Sequence, residues 1–91
     1  MQTNGTIEAI FDSQKVSDTF QKREFVLTTD ENTPYPQSVS FQLTQDKCSL
    51  LNNYKVGDRV SVDFNLRGRK WNGPQGIKFF NTLEAWKIEK V

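Results

Sequence analysis

The sequence predicts an all-β fold, a small barrel of five strands with one short helix between the third and fourth strands. Several short segments alternate apolar and polar residues, which is the period of a strand with one buried face. After the third segment this alternation stops, and Thr44 can cap a helix over 45–51. The first and last strands have apolar residues on both faces, which indicates bulges that let a sheet curl.

The chain has room for one domain, 1–91, with a single modest core. Hydrophobic residues make up 35% of it, which is typical of a globular rather than a disordered chain. One cysteine and no histidine exclude an internal disulfide and a transition-metal cluster, so we predict no metal, no cofactor and a cytoplasmic location. No segment has the pattern of a signal peptide or the length of a membrane span, so we expect a soluble, unprocessed protein without a membrane partner.

The first two strands are predicted over 6–11 and 22–29, and the polar segment between them, 12–19, is predicted to be a turn. In the first strand the apolar residues fall on both faces, which indicates a bend or bulge. In the second strand Phe25 and Leu27 share one face. That face is expected to pack in the core.

The third strand, 37–43, follows a loop over 30–36 in which Pro34 and Pro36 flank Tyr35. The prolines remove two backbone donors, which prevents regular pairing there and can display the tyrosine ring. The strand itself alternates cleanly, with its apolar residues expected inward.

The short helix over 45–51 places Cys48 and Leu51 on one side, so we interpret Cys48 as a small buried hydrophobe. A turn at Gly57, a residue that tolerates a positive φ, then leads into the fourth strand.

The fourth strand alternates from Val60 to Leu66. The next ten residues, 67–76, contain three glycines and a proline, so we predict an irregular loop that reverses the chain. The fifth strand is predicted over 77–89, where apolar residues on both faces imply a second bulge.

Three strands, a short helix and two more strands fit a five-stranded OB barrel. A sandwich normally has more strands, and an SH3-like barrel would place its short helical turn later in the chain. We therefore predict an OB fold.

Charge is distributed unevenly along the chain. Between Asp63 and Glu84 there is no acidic residue, but there are four basic ones, so this stretch carries +4 in a chain of formal net charge +1, and the remainder carries −3. Trp71 lies among these cations. Single-stranded nucleic acid requires this combination, with charge for phosphates and a flat ring for an unstacked base.

We predict a site for single-stranded nucleic acid, DNA in preference to RNA, with little sequence preference. Trp71 and Tyr35 are predicted to stack on bases, and Phe80 to line a groove. The residues predicted to contact phosphates are Arg67, Arg69, Lys70, Lys78 and Lys22.

Each of these assignments has an alternative. Trp71 can instead cap the barrel rim, and the basic residues can simply keep an exposed hairpin soluble. Phe79 and Phe80 are adjacent and so face opposite ways, and one of them is expected to enter the core. Trp86 shares the parity of Ile88 and is expected to pack, either in the core or at an interface.

The hairpin resembles that of bacterial single-stranded DNA-binding proteins in the order and spacing of its residues. The matching residues are Arg67-Gly68-Arg69-Lys70-Trp71, then Gly76, then Phe79-Phe80-Asn81-Thr82-Leu83-Glu84-Ala85. The resemblance extends back through Tyr35 and Phe41 over about the C-terminal two-thirds of the chain, and it is weak before Lys22. It implies base stacking by the hairpin tryptophan, Trp71, and by an aromatic at the start of the third strand, Tyr35.

Over nearly its full length the chain also resembles a family of short, uncharacterised bacterial proteins classed as a domain of unknown function with an OB-type fold. That resemblance implies no activity. The sequence departs from the DNA-binding family in ending at Val91, without that family's acidic tip, and in placing Asp30 and Glu31 just before Tyr35. We therefore do not expect a housekeeping role in replication.

We predict that the protein is not an enzyme. There is no histidine to act as a general base, and the lone cysteine has no activating partner, while Asp58 and Asp63 fit a turn and a strand surface. The alternative to nucleic-acid binding is a non-catalytic protein-interaction or oligomerisation module that uses the apolar residues on the outward face of the fifth strand. Exposed sheet edges allow a homodimer or higher homo-oligomer in either case.

Overall fold

The computed structural model describes all 91 residues, which form six strands and one 3₁₀ helix. The helix lacks the length and apolar character that a membrane crossing requires. The elements are β1 (Gln2–Ile10), β2 (Gln14–Ser17), β3 (Phe20–Thr29), β4 (Gln37–Thr44), the 3₁₀ helix (Gln45–Asn53), β5 (Arg59–Gly73) and β6 (Gly76–Lys90).

Five of the strands close into a ring. The sheet runs β1-β5-β6-β4-β3-β2, and β1 also pairs with β3, which leaves β2 as an added strand on the edge of β3. Every pairing is antiparallel except that of β4 with β6, which is parallel and joins Gln42 to Glu84. The predicted five-stranded OB barrel, with its helix after the third barrel strand, is confirmed.

The barrel interior is filled by one cluster of apolar side chains. Phe25 stacks on Phe41 with ring centroids 5.4 Å apart, and Phe64 meets Phe41 edge-on at 5.2 Å. Cys48 is buried as predicted, and burial raises the pKa of its thiol. The cluster consists of Ile7, Phe25, Leu27, Phe41, Leu43, Cys48, Leu51, Val60, Val62, Ala85 and Ile88.

The bulge predicted in the first strand is present at Glu8, an extra residue between the paired positions Ile7 and Ala9. Its carboxylate accepts hydrogen bonds from the hydroxyls of Thr28 on β3 and Ser38 on β4, both at 2.8 Å. These bonds favour the charged form and hold the pKa of Glu8 below its ordinary value. Glu8 thereby ties three strands together on the barrel surface.

The bulge predicted in the last strand is present at Trp86. Asp63 pairs with Lys87 and Phe64 with Ala85, so β6 has one residue more than β5 at this point. The extra residue shifts the alternation of faces along β6 by one position. Two residues before and after it that would otherwise face the same way therefore face opposite ways. Trp86 itself is 44% exposed, so of the two predicted alternatives packing in the core is wrong, and packing at an interface stays a prediction.

Two local predictions in the first half of the chain need correction. The segment 12–19 is not only a turn, because β2 pairs there with β3. All four residues of β2 are exposed, so this strand has no buried face and no apolar period. The 3₁₀ helix forms where it was predicted but continues to Asn53, and the side chain of Thr44 makes no capping hydrogen bond.

The prediction of an irregular loop over 67–76 is wrong. β5 and β6 stay paired from Arg67, opposite Thr82, to Gly73, opposite Gly76, and only Pro74 and Gln75 form the turn. Proline presets the φ of a turn, and Gly76 adopts a φ of 117° that glycine tolerates best. We call this two-stranded extension, 67–82, the ribbon.

The barrel depends on a close approach of β1 to β3 at Gly5. A Cβ added to Gly5 would lie 2.6 Å from the backbone oxygen of Thr28. Because a backbone atom cannot turn aside, we expect Gly5→Ala to lower the free energy of unfolding by about 1–3 kcal/mol in urea denaturation. Gly68→Ala is the control, since its Cβ would meet only Asn81 Oδ1, at 3.7 Å. Equal stability of the two variants would contradict this account.

Candidate functional site

An open groove of ≈ 750 Å³ crosses the outer surface of the barrel between the β2–β3 hairpin and the ribbon. We call it the outer groove. Its floor is formed by outward-facing residues of β3, β4 and β6, and its two sides come from the hairpin and the ribbon. The lining residues are Val16, Phe20, Lys22, Glu24, Gln42, Arg67, Gly68, Arg69, Phe80, Asn81, Thr82 and Glu84.

The register of the ribbon decides which side chains face this groove. Directly opposed residues of an antiparallel pair point to the same face, and residues two apart on one strand also share a face. Three successive pairs therefore project from the outer face. They are Arg67 with Thr82, Arg69 with Phe80, and Trp71 with Lys78.

The structure brings four of the eight predicted site residues together in the outer groove, namely Lys22, Arg67, Arg69 and Phe80. Two more, Trp71 and Lys78, form the next pair on the same face of the ribbon. That pair lies about 7 Å beyond Arg69 and Phe80, from the rise of about 3.4 Å per residue along a strand.

Trp71 lies on the ribbon and not in the barrel interior, with 43% of its surface exposed. Its ring rests against Gly73, since a Cβ on that glycine would overlap the ring carbons. The ammonium of Lys78 is 6.0 Å from the ring centroid, at the outer limit of a cation–π contact. Gly73 thus lets the indole lie along the strand, close to a cation.

Tyr35 and Lys70 lie away from the groove. Tyr35 is 78% exposed, but its loop is at the far end of the β3–β4 pair. From Glu24 in the groove to Thr29 beside this loop the ladder advances five residues, or about 17 Å. Lys70 alternates with Arg69 and Trp71 and so projects from the opposite face of the ribbon.

The charge of the groove is more balanced than the sequence count indicated. Arg67 lies 3.7 Å from a carboxylate oxygen of Glu84, and Lys22 lies 3.9 Å from Glu24. Arg69 has no carboxylate oxygen within 4.0 Å. Exposed ion pairs of this kind are weak, so Arg67 and Lys22 can exchange their partners for a phosphate.

Phe79 and Phe80 are both exposed, at 75% and 48%, so the prediction that one of them enters the core is wrong. The ribbon has left the barrel before it reaches these residues, and neither face has a core to pack against. Phe80 lines the outer groove as expected, whereas Phe79 projects from the other face with Lys70.

Sequence reasoning missed the hairpin side of the groove. Phe20 and Val16 form that side, and Val16 is the extra residue of a further bulge, between Lys15 and Ser17. An aromatic residue next to a polar turn was the available signal, but no alternation marked the strand around it.

No group of three or more cysteine, aspartate and glutamate side chains is placed to hold a metal ion.

A model of the protein family described as "Domain of unknown function (DUF3127)" matches residues 2–89. Comparison with curated proteins finds no match.

Three solved structures share the fold. The mitochondrial single-stranded DNA-binding protein Rim1 of S. cerevisiae aligns with a TM-score of 0.75 at 14% identity, over 100% of this chain and 92% of that one. The Plasmodium falciparum SSB in complex with ssDNA gives 0.60 at 20% identity, over 92% and 82% of the two chains. A deletion mutant of the single-stranded DNA-binding protein from Thermus aquaticus gives 0.68 at 18% identity, over 99% of this chain but 48% of that one.

The packing of Trp71 on Gly73 can be tested without a ligand. In a Trp86→Phe background Trp71 is the sole tryptophan, and we expect Gly73→Ala to displace its ring because the added methyl group occupies the same space. The emission maximum should then shift to longer wavelength as the ring becomes more exposed. Gly68→Ala in the same background is the control and should leave the spectrum unchanged. An unchanged spectrum in Gly73→Ala would show that the ring does not rest there.

Proposed function

We propose that this chain, which belongs to the family described as "Domain of unknown function (DUF3127)", binds single-stranded nucleic acid, DNA in preference to RNA. One observation carries the proposal. The outer face of the ribbon presents a cation directly opposite an aromatic ring in two successive pairs, Arg69 with Phe80 and Lys78 with Trp71. Repetition of charge and ring along one face suits a polymer that repeats phosphate and base.

The position of the groove supports the same ligand. OB folds bind oligonucleotides on the face of their second and third barrel strands, between the loop after the first strand and the loop before the last. The outer groove occupies that place, with β3 and β4 in its floor and the ribbon at its side. The three solved structures of this fold are named as single-stranded DNA-binding proteins, and one of them holds ssDNA.

Stacking supplies the largest share of the affinity in this proposal. Base–aromatic stacking contributes about 1–3 kcal/mol per base and does not require a particular base. Phe80 and Trp71 both face outward, and bases that are adjacent along a strand can stack on them in turn. Tyr35 is proposed to stack only on a strand long enough to continue past the end of the β3–β4 pair.

Phosphate contacts supply a second, salt-dependent contribution. Arg69 is free to make one at once, because no carboxylate neutralises it. Arg67 and Lys22 must first leave their carboxylates, and Lys70 is proposed to contact a strand that wraps around the ribbon. With a net charge of +1 the protein attracts a polyanion only weakly at long range, so binding depends on these local contacts.

A second candidate function is supported by the opposite face of the ribbon. Ile77 and Phe79 of the ribbon are each more than half exposed there, as is Leu66 just before it. All three lie on the face that continues the inward-facing side of β5 beyond the barrel. Exposed apolar surface of this kind marks contacts with proteins, including a second copy of the chain. The two candidates use different faces of the ribbon, so variants on the outer face distinguish them. Neither candidate involves catalysis.

The stacking role is tested by Trp71→Ala. We expect this variant to weaken binding of a fluorescently labelled single-stranded oligonucleotide of mixed sequence by about 1–3 kcal/mol, with little change in the salt dependence, because a ring and not a charge has been removed. Anisotropy measures the affinity. Trp86→Ala is the matched control, since Trp86 is equally exposed but lies eight residues along β6 from Lys78, the partner of Trp71. Equal losses of affinity in both variants would show that Trp71 has no specific role in binding. Absence of binding by the wild-type protein at low salt would refute the proposal.

The charged residues are tested by a pair of opposite substitutions. We expect Arg69→Ala to reduce the slope of log K against log salt by about 0.7, the value for one phosphate contact on a single strand. We expect Glu84→Gln to strengthen binding by up to about fivefold, because it frees Arg67 from a weak ion pair. Titrations at several salt concentrations measure both effects. A weaker Glu84→Gln variant or an unchanged slope in Arg69→Ala would contradict the proposed path of the phosphates.

A further inference from the structure

The floor of the outer groove carries two carboxylates, and each of them has a cation within 4.0 Å. Glu24 lines the groove and also both of the smaller depressions that adjoin it, one reaching Phe11 on the hairpin side and the other reaching Leu83 on the ribbon side. Glu84 is a second carboxylate in the same floor. The cations can take phosphates, but the carboxylates repel them, so the phosphates of a bound strand are expected at the cations and not over the carboxylates. Another part of the nucleotide must face Glu24.

Three polar residues form a row across the floor on adjacent strands. Glu24 on β3 is directly opposite Gln42 on β4, and Gln42 is paired in turn with Glu84 on β6. All three line the groove, so their side chains project from the outer surface. The floor therefore presents a carboxylate, an amide and a second carboxylate in sequence, which is a set rich in hydrogen-bond acceptors.

The sides of the groove suit the flat faces of a base. Phe20 and Val16 line it on the hairpin side, and Phe80 lines it on the ribbon side together with Arg67 and Arg69. A base that enters between these apolar side chains has its polar edge directed at the floor. Its phosphate then lies near the arginines at the ribbon, and Lys22 remains for the phosphate of another nucleotide.

We propose that the outer groove selects bases that carry an exocyclic amino group, and that Glu24 is the residue that selects them. This inference rests on the proposed binding of single-stranded nucleic acid and adds a base preference to it. A carboxylate accepts a hydrogen bond from the N4 amino group of cytosine, and adenine and guanine also carry amino groups. Thymine and uracil present a carbonyl oxygen at position 4, which a carboxylate repels, and their one donor on this edge, the N3 proton, lies between two carbonyl oxygens. Phe20 is the second stacking surface of the site.

The test compares oligomers of deoxycytidine and deoxyuridine of equal length at neutral pH and low salt. Cytosine and uracil have the same ring and differ at the 4-position group and the adjacent N3 proton, so stacking and phosphate contacts are matched. We expect the wild-type protein to bind the cytosine oligomer at least about fivefold more tightly, which is the lower end of the discrimination that a good side chain–base pair provides. Anisotropy of an end-labelled oligomer measures both affinities.

Glu24→Gln removes the carboxylate but keeps the size of the side chain, and its amide can both donate and accept. We expect the ratio of the two affinities to fall toward one in this variant. Glu89→Gln is the matched control, because it changes the net charge equally at an exposed position on β6 that lines none of the three depressions. It should leave the ratio unchanged. Circular dichroism confirms that each variant is folded.

Three results would overturn the inference. Equal binding of both oligomers by the wild type, or an unchanged ratio in Glu24→Gln, shows that Glu24 does not select the base while leaving nucleic-acid binding intact. Binding of neither oligomer at low salt removes the proposed function, and the base preference with it. The inference is supported if the ratio of the two affinities falls in Glu24→Gln but not in Glu89→Gln, with both oligomers still bound.

Discussion

The site depends on the register between β5 and β6, which a single extra residue at Trp86 resets. Inside the barrel Val62 faces the core opposite Ile88. Without the extra residue the even-numbered residues of β6 would continue on that inward parity as far as Phe80. The bulge moves Phe80 to the outer face instead, opposite Arg69. One added residue in a strand therefore decides which aromatic side chain of the ribbon meets a cation in the groove.

The same register gives the ribbon two different faces. Its outer face places a cation opposite a ring in two successive pairs, and its inner face continues the apolar side of the barrel beyond the point where the core ends. A two-stranded ribbon that packs on nothing is only marginally stable in water. Ligands on either face would therefore stabilise it, nucleic acid on the outer face and a protein surface on the other. The groove beside it has cations and aromatic rings at its sides and two carboxylates in its floor. In the proposed mode of binding the cations take the phosphates and the floor takes the edge of a base.

Alternation predicted the barrel because buried strands leave a period in the sequence, as at Phe25 and Leu27. Apolar residues on both parities also predicted both bulges correctly. The ribbon and β2 were missed for the opposite reason, since strands exposed on both faces need no apolar period, and glycines and polar residues there look like a loop. The pairing of Arg67 with Glu84 was not visible either, because the carboxylate lies 17 residues away in sequence and only the cross-strand ladder brings it near.

The most direct test of the account maps where a single strand touches the protein. In a ¹H–¹⁵N correlation spectrum of the wild-type protein, titration with an unlabelled single-stranded oligonucleotide at low salt should shift the amide signals of the groove residues, with the largest changes around Arg69, Phe80 and Glu24. The signals of the 3₁₀ helix, which lines none of the outer groove, should stay in place. Shifts confined to the helix or to the inner face of the ribbon, or no shifts at all, would contradict it.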